Sequence, residues 1–184
     1  MADVIIVGDG PGGLSAALFL AKKDMDVVVF GQDATLMHKA LLLNYLGIPE
    51  MTGSDFQKVS RQQVSGFGAS IRDEEVASAA KVDGGFSVTT AGGETLEAKY
   101  LLLATGPQNP LAEALGVGKG DEGLVSDRNG RTGVEGLYVI GWSTRLKKIQ
   151  AIISAGDGAC AALDILSAEA GEDLHDFDLV PDAD

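Results

Sequence analysis

Gly8-Asp9-Gly10-Pro11-Gly12-Gly13 is the stretch of this sequence whose residue types and spacing carry chemistry most directly. It is a G-x-G-x-x-G, with an apolar run before it and a small-residue, helix-forming segment after it, the context that dinucleotide binding requires. Gly8 permits the tight turn, Gly10 removes the Cβ that would block a pyrophosphate, and Gly13 lets the helix pack closely on the strand. The first-turn amides, reached through Pro11 and Gly12, and the helix dipole then make an anion site. The alternative is a Gly-rich strand-to-helix turn that binds nothing. An acid about 20 residues past the third Gly would hold ribose hydroxyls. Asp33, after Gln32, stands at that distance; Gly31 occupies the strand end itself, so a helix N-cap or turn role for Asp33 stays equally open. A second match, Gly118 to Gly123, has neither strand before it nor helix after it, and reads as a flexible loop. One dinucleotide fold is expected, not two.

The elements that must position this loop are legible around it. Val4-Ile5-Ile6-Val7 and Val27-Val28-Val29-Phe30 are continuous apolar runs, the pattern of strands buried on both faces of a parallel sheet. With a helix over 14–22 between them they complete a βαβ unit. Residues 34–44 and 54–67 are helical in composition. Alternating segments at 69–73, 76–82, 86–90 and 94–99 predict a strand and then an antiparallel meander, turning at Asp83-Gly84-Gly85 and Gly92-Gly93. Leu101 to Ala104 and Leu137 to Ile140 read as further buried strands, separated by a loop-rich stretch, and a small-residue helix covers about 149–168. The prediction is an α/β, three-layer, Rossmann-like dinucleotide-binding fold with a central parallel sheet and a small antiparallel β-meander. Residues 1–170 form one domain, and 171–184, with six acidic groups and no Lys or Arg, form a frayed acidic tail.

Composition excludes several functions. The formal net charge of −13 repels phosphate backbones, which argues against nucleic acid. No uninterrupted apolar run approaches the roughly 18 residues of a membrane span, and no secretory signal is visible, so a cytoplasmic location is expected. Cys160 is the only cysteine, which leaves no Cys-x-x-Cys pair, and with His38 and His175 it offers no metal-site spacing. Cys160 itself, among alanines, reads as an inert core residue. Asp outnumbers Glu 17 to 10 and basic residues are sparse. That balance suits a halophilic protein, because a Debye length of about 3 Å at 1 M salt removes self-repulsion. An ordinary acidic protein with an interaction tail is the alternative.

Four motifs in order resemble the FAD domain of the low-molecular-weight thioredoxin reductases, within the pyridine nucleotide-disulfide oxidoreductase superfamily. Val7 to Ala17 resembles the opening FAD-pyrophosphate motif, and Asn44-Tyr45-Leu46-Gly47-Ile48-Pro49 the segment before the second helix. Leu101 to Gly106 resembles the strand ending in Ala-Thr-Gly. Gly136 to Gly141, then Gln150 to Gly156, resembles the closing segment and helix. The resemblance implies FAD as cofactor, with Val76 at the adenine, Thr105 and Gly106 beside the flavin, and Gln150, Ala151 and Ile152 presenting amides where charge builds on reduction. It also implies a homodimer.

Three departures qualify it. Only about residues 107–123 stand where the family carries its NADPH domain and redox cysteines, so thioredoxin reduction by this chain alone is excluded. The expected reading is an oxidoreductase whose flavin is reduced from outside, by free NAD(P)H, a ferredoxin or a partner subunit. Gly141-Trp142 replaces the family's Gly-Asp; Trp142 either stacks on a flavin or plugs its place. Thr35 to Lys39 replaces a Gly-Gly-Gln loop, and places His38 as a candidate flavin donor or proton relay, a lone surface histidine being the alternative. Arg145, Lys147 and Lys148 make a basic cluster that either attracts an anionic cofactor or a docking partner, or is a solvated loop. A non-catalytic dinucleotide sensor and a degenerate structural homologue are the competing functions.

Overall fold

A computed structural model describes residues 1–180 of the 184-residue chain. In chain order the elements are β1 (Ala2–Val7), α1 (Pro11–Ala21), β2 (Val27–Gly31), a 3-10 turn at Leu36–Lys39, β3 (Leu41–Leu42) and β4 (Met51–Thr52). Then come α2 (Gly53–Gly66), β5 (Ser70–Asp73), β6 (Val76–Val82), β7 (Gly85–Thr90) and β8 (Thr95–Leu103). The chain closes with α3 (Pro110–Ala114), β9 (Lys119–Gly120), β10 (Gly123–Leu124), β11 (Leu137–Val139), a 3-10 turn at Gly141–Thr144 and α4 (Ala151–Ala170).

The main sheet runs β5-β2-β1-β8-β7-β6, with β11 on β8 as well. Pairing is parallel among β5, β2, β1, β8 and β11 and antiparallel through β8, β7 and β6. β1 is central, which is why its run is apolar on both faces. Val4 and Ile6 face α1 and α4, in a cluster with Leu14, Leu20, Ala161 and Ile165. Ile5 and Val7 face the other way, with Phe86, Val88, Leu101 and Leu111 under the meander and α3. The three-layer α/β prediction therefore holds.

The differences have local causes. The strands expected at 94–99 and 101–104 are one strand, β8, because nothing breaks the chain between them. One edge of β8 pairs with β1, while the other serves β7 near its start and β11 near its end. Residues 34–44 do not form a helix. Thr35 caps only a single turn, Ala40 is already extended, and Leu41-Leu42 pairs with Met51-Thr52. Gly53 locks that turn down, since a Cβ there would run into the Met37 carbonyl. The second glycine match is a hairpin, β9–β10, not a flexible loop. Gly123 (φ 139) lies against Ser143 and Thr144, and Leu146 N–H donates to Glu122 O at 2.7 Å.

Cys160 is exposed rather than in the core. The buried stripe of α4 is Gly158, Ala161, Ala162, Ile165 and Leu166, and Cys160 lies two residues, about 200°, round the helix from Gly158. By length and composition α4 could cross a membrane, yet this stripe packs on α1 and the sheet. The described part of the acidic tail forms no helix or strand, and Phe177, Leu179 and Val180 are exposed, but it touches the fold at two points. The Asp176 carboxylate is tucked against α1, accepting from Lys22 Nζ at 2.8 and 2.9 Å, and Leu174 packs on the α1/α4 core. Residues 181–184 of that tail lie outside the described residues.

Candidate functional site

The glycines of the loop each meet a distinct constraint. Gly8 sits at φ 110, and a Cβ there would run into the Ala104 carbonyl at the end of β8. A Cβ on Gly13 would run into Gly8 O, so this glycine brings α1 down on its own turn. Gly12 lies against Ser154 O and Ile140 Cδ1, at 3.1 and 3.2 Å from where its Cβ would stand. Gly10 is different: its Cβ would meet only Thr35 Oγ1, at 3.7 Å, and otherwise open space. Gly10 is the N-cap of α1, Pro11 opens the helix, and no side chain caps it. Its first-turn amides therefore point out of the loop with no side-chain acceptor, the arrangement that binds a phosphate.

They face a cavity of about 500 Å³. One end is bounded by Asp9, Gly31, Gln32, Glu74, Glu75 and Val76, the middle by Gly10, Pro11 and Gly12, and the other end by Thr105, Gly106, Gly141, Trp142 and Ser154. Such an elongated, Gly-floored cleft at the carboxyl ends of parallel strands is where α/β sheets bind nucleotides. Gly106 (φ 73) and Gly141 (φ 69) both turn the chain there. The Thr105 turn is held by its hydroxyl on Asn109 Oδ1 (2.8 Å), and the Trp142 turn by Ser143 Oγ on Ile140 O (2.6 Å). Trp142 stands half-buried in the wall of a cavity that stays open, so a plugged site has no support.

Of the residues singled out in the sequence, Gly8, Gly10, Pro11, Gly12, Gln32, Val76, Thr105, Gly106, Gly141 and Trp142 line the cavity. Gly13 lies behind it as a packing residue. Gln150, Ala151 and Ile152 form the N-cap and first turn of α4 just before Ser154, without lining the cavity themselves; Gln150 Oε1 accepts from Asn44 Nδ2 at 3.2 Å. Asp33 and His38 are also outside the wall and are engaged with each other. Asp33 adopts φ 49, and His38 Nε2 is 2.8 Å from Asp33 O and 3.0 Å from its Oδ1, with Nδ1 2.9 Å from Ser54 Oγ. Both ring nitrogens thus have protein partners away from the cavity. Arg145 is tied by a two-point ion pair to Asp157.

Three functional-site residues escaped the sequence reading. Asp9, inside the motif, is 5% exposed, and its carboxylate accepts from the Asp33 amide at 3.2 Å and from Arg61 of α2. Arg61 also pairs with Asp73 of β5. Burial alone would loosen the Arg61 proton, but the Asp73 hydrogen bond and the Asp9 charge outweigh it and hold it above its ordinary value. Gln57 of α2, fully buried, donates to Asp9 O at 2.6 Å while its Oε1 takes no partner. Only the acid within the motif was visible in sequence; the reach from α2 is a long-range contact.

The thioredoxin reductase of Mycolicibacterium smegmatis is 35% identical over 127 residues, 67% of this chain and 39% of the relative. The ferredoxin–NADP reductase of Lactococcus lactis is 35% identical over 112 residues, 56% of this chain and 35% of the relative. The chain thus spans about two fifths or less of the length of the curated relatives it matches. A solved thioredoxin reductase from Gloeobacter violaceus superposes with a TM-score of 0.85 at 19% identity, covering 97% of this chain and 98% of that one, a likeness of fold. The family model described as pyridine nucleotide-disulphide oxidoreductase matches residues 2–110, more than half of the chain, which belongs to that family.

Proposed function

We propose that this chain is an FAD-binding oxidoreductase unit whose flavin is reduced by an external donor: free NAD(P)H, a ferredoxin or a partner subunit. FAD is the cofactor of the family. The observation that carries the reading is the uncapped start of α1 behind Gly10, facing the cavity at a point where no side chain stands in the way. The residues present fit the group. The α1 amides would hold its pyrophosphate, Gln32 and Val76 its adenosine half, and Thr105, Gly106, Gly141 and Trp142 its ring system. When bound, FAD supplies two-electron chemistry and the protein positions and tunes it. The start of α4, reaching the cavity at Ser154, adds amide dipoles where negative charge would gather. Trp142 offers a flat apolar face for stacking.

What supports an external donor is the segment between β8 and β11, which holds α3 and the β9–β10 hairpin and neither a βαβ unit nor a cysteine. The same reading takes the −13 charge as adaptation to concentrated salt and the family's homodimer as the assembly. The test is the visible spectrum of the protein purified in high salt, followed by titration with FAD. A flavin spectrum, or quenching of Trp142 emission on adding FAD, is expected. A colourless protein whose Trp142 emission ignores added FAD, and which shows no binding heat, overturns the reading.

A further inference from the structure

We infer that Asp9 carries the ribose-recognising carboxylate of this cleft, taking over from the end of β2, where Gly31 stands. The inference rests on the FAD reading above and deepens it. A side chain at position 31 has no room, because a Cβ there would run into Asp9 Cβ, Cγ and Oδ1. The two positions share one volume, and the loop rather than the strand fills it. Asp9 Oδ2 is fully engaged, by the Asp33 amide and Arg61. Among the described residues no donor reaches Oδ1, and Asp9 is part of the cavity wall beside Gly31 and Gln32.

A carboxylate this buried needs compensation, and Arg61, itself anchored on Asp73, supplies it from one side only. What Oδ1 still lacks is a neutral hydrogen-bond donor, which a ribose hydroxyl is. A phosphate on that ribose would bring only acceptors and charge against Asp9, Glu74 and Glu75, all on the same end of the cavity. The cleft therefore selects an adenine nucleotide with free ribose hydroxyls and rejects a 2′-phosphorylated one.

The experiment is calorimetric titration of the whole chain with ADP, 2′-deoxy-ADP, 3′-deoxy-ADP and adenosine 2′,5′-bisphosphate, and in parallel with FAD. At least one deoxy analogue is expected to bind about ten- to a hundredfold more weakly than ADP, the range for a hydrogen bond to a charged acceptor. The bisphosphate is expected to bind more weakly still. Asp9→Ala should bring ADP and the deoxy analogues to one affinity; the wild-type series stands without it if that variant fails to fold. Equal affinity of wild type for ADP and both deoxy analogues overturns the inference while FAD binding upholds the cofactor reading. Failure of both ADP and FAD to bind overturns the two together.

Discussion

Gly158 of α4 lies directly against Gly12 of α1: a Cβ on Gly158 would run into the Gly12 carbonyl oxygen and stand 3.0 Å from Ala16 N. The helix that closes the fold is thereby in backbone contact with the loop that opens the cavity. This explains why the buried stripe of α4 begins with the small residues Gly158, Ala161 and Ala162, and it couples helix packing to the shape of the phosphate cradle.

Gly158→Val should therefore cost both stability and ligand. Overpacking of this kind costs about 1–3 kcal/mol, and the displacement falls on Gly12. Gly156→Ala is the control. Its Cβ would meet nothing within 4 Å, and replacing an exposed mid-helix glycine gains up to about 1 kcal/mol. Urea unfolding and FAD titration of both variants check this. Equal urea midpoints for the two would show that the helix contact is slack.

Within the motif, Gly8 and Gly10 should separate folding from binding. Gly8→Ala meets both a left-handed backbone and the Ala104 carbonyl, and should unfold the protein or lower its midpoint sharply. Gly10→Val sits at φ −72 with room around it, so the fold should survive, while the branched side chain fills the cradle and FAD affinity falls at least tenfold. Circular dichroism beside FAD titration distinguishes the two. A Gly10→Val protein that binds FAD as wild type does would remove the pyrophosphate from this loop.

How much of this was legible in sequence depended on how local each cause was. β1, β2 and the glycine loop were readable because each strand is buried on both faces and strand, turn and helix follow one another in the chain, although Gly8 and Gly12 answer Ala104 and Ser154 far along it. The Leu41–Leu43 run looked helical because its leucines are good helix formers; what holds Leu41-Leu42 extended is a pairing with Met51-Thr52 across a loop. Asp9 was visible but its purpose was not, since Arg61 and Gln57 reach it from α2, about 50 residues on. Cys160 was misplaced because a helix made of alanine and glycine has little periodicity to mark its buried side.

That exposure has a direct check. Cys160 should react with a thiol reagent in the folded protein at a rate close to that of a small free thiol, with one equivalent modified before any denaturant is added. Cys160→Ser should change stability by less than about 0.5 kcal/mol. Reaction only after unfolding would place the thiol against another surface of the folded species, for instance a second copy of the chain.

Acid and salt act on the same carboxylates. Lys99 and the Tyr100 hydroxyl both hydrogen-bond Glu169 at 2.6 Å and hold its carboxyl below the usual glutamate value. Asp176 is held below its own by Lys22, chiefly through the hydrogen bond. A carboxyl whose pKa is lower in the folded state stabilises it above the unfolded pKa, and that contribution is lost as pH falls through the folded value. Stability should thus decline below about pH 4.5, the usual glutamate range, and Glu169→Gln should be less stable than wild type at neutral pH but about equal to it once Glu169 of the wild type is protonated. The Lys99–Glu169 pair is partly solvent-facing, so salt weakens it, whereas salt also screens the repulsion of a −13 chain. If the second effect dominates, as the halophilic reading requires, the thermal midpoint rises steadily with KCl at pH 7 while the Glu169→Gln difference shrinks. A midpoint that falls with KCl would mean that the ion pairs outweigh the repulsion, and would remove the case for a salt-adapted surface.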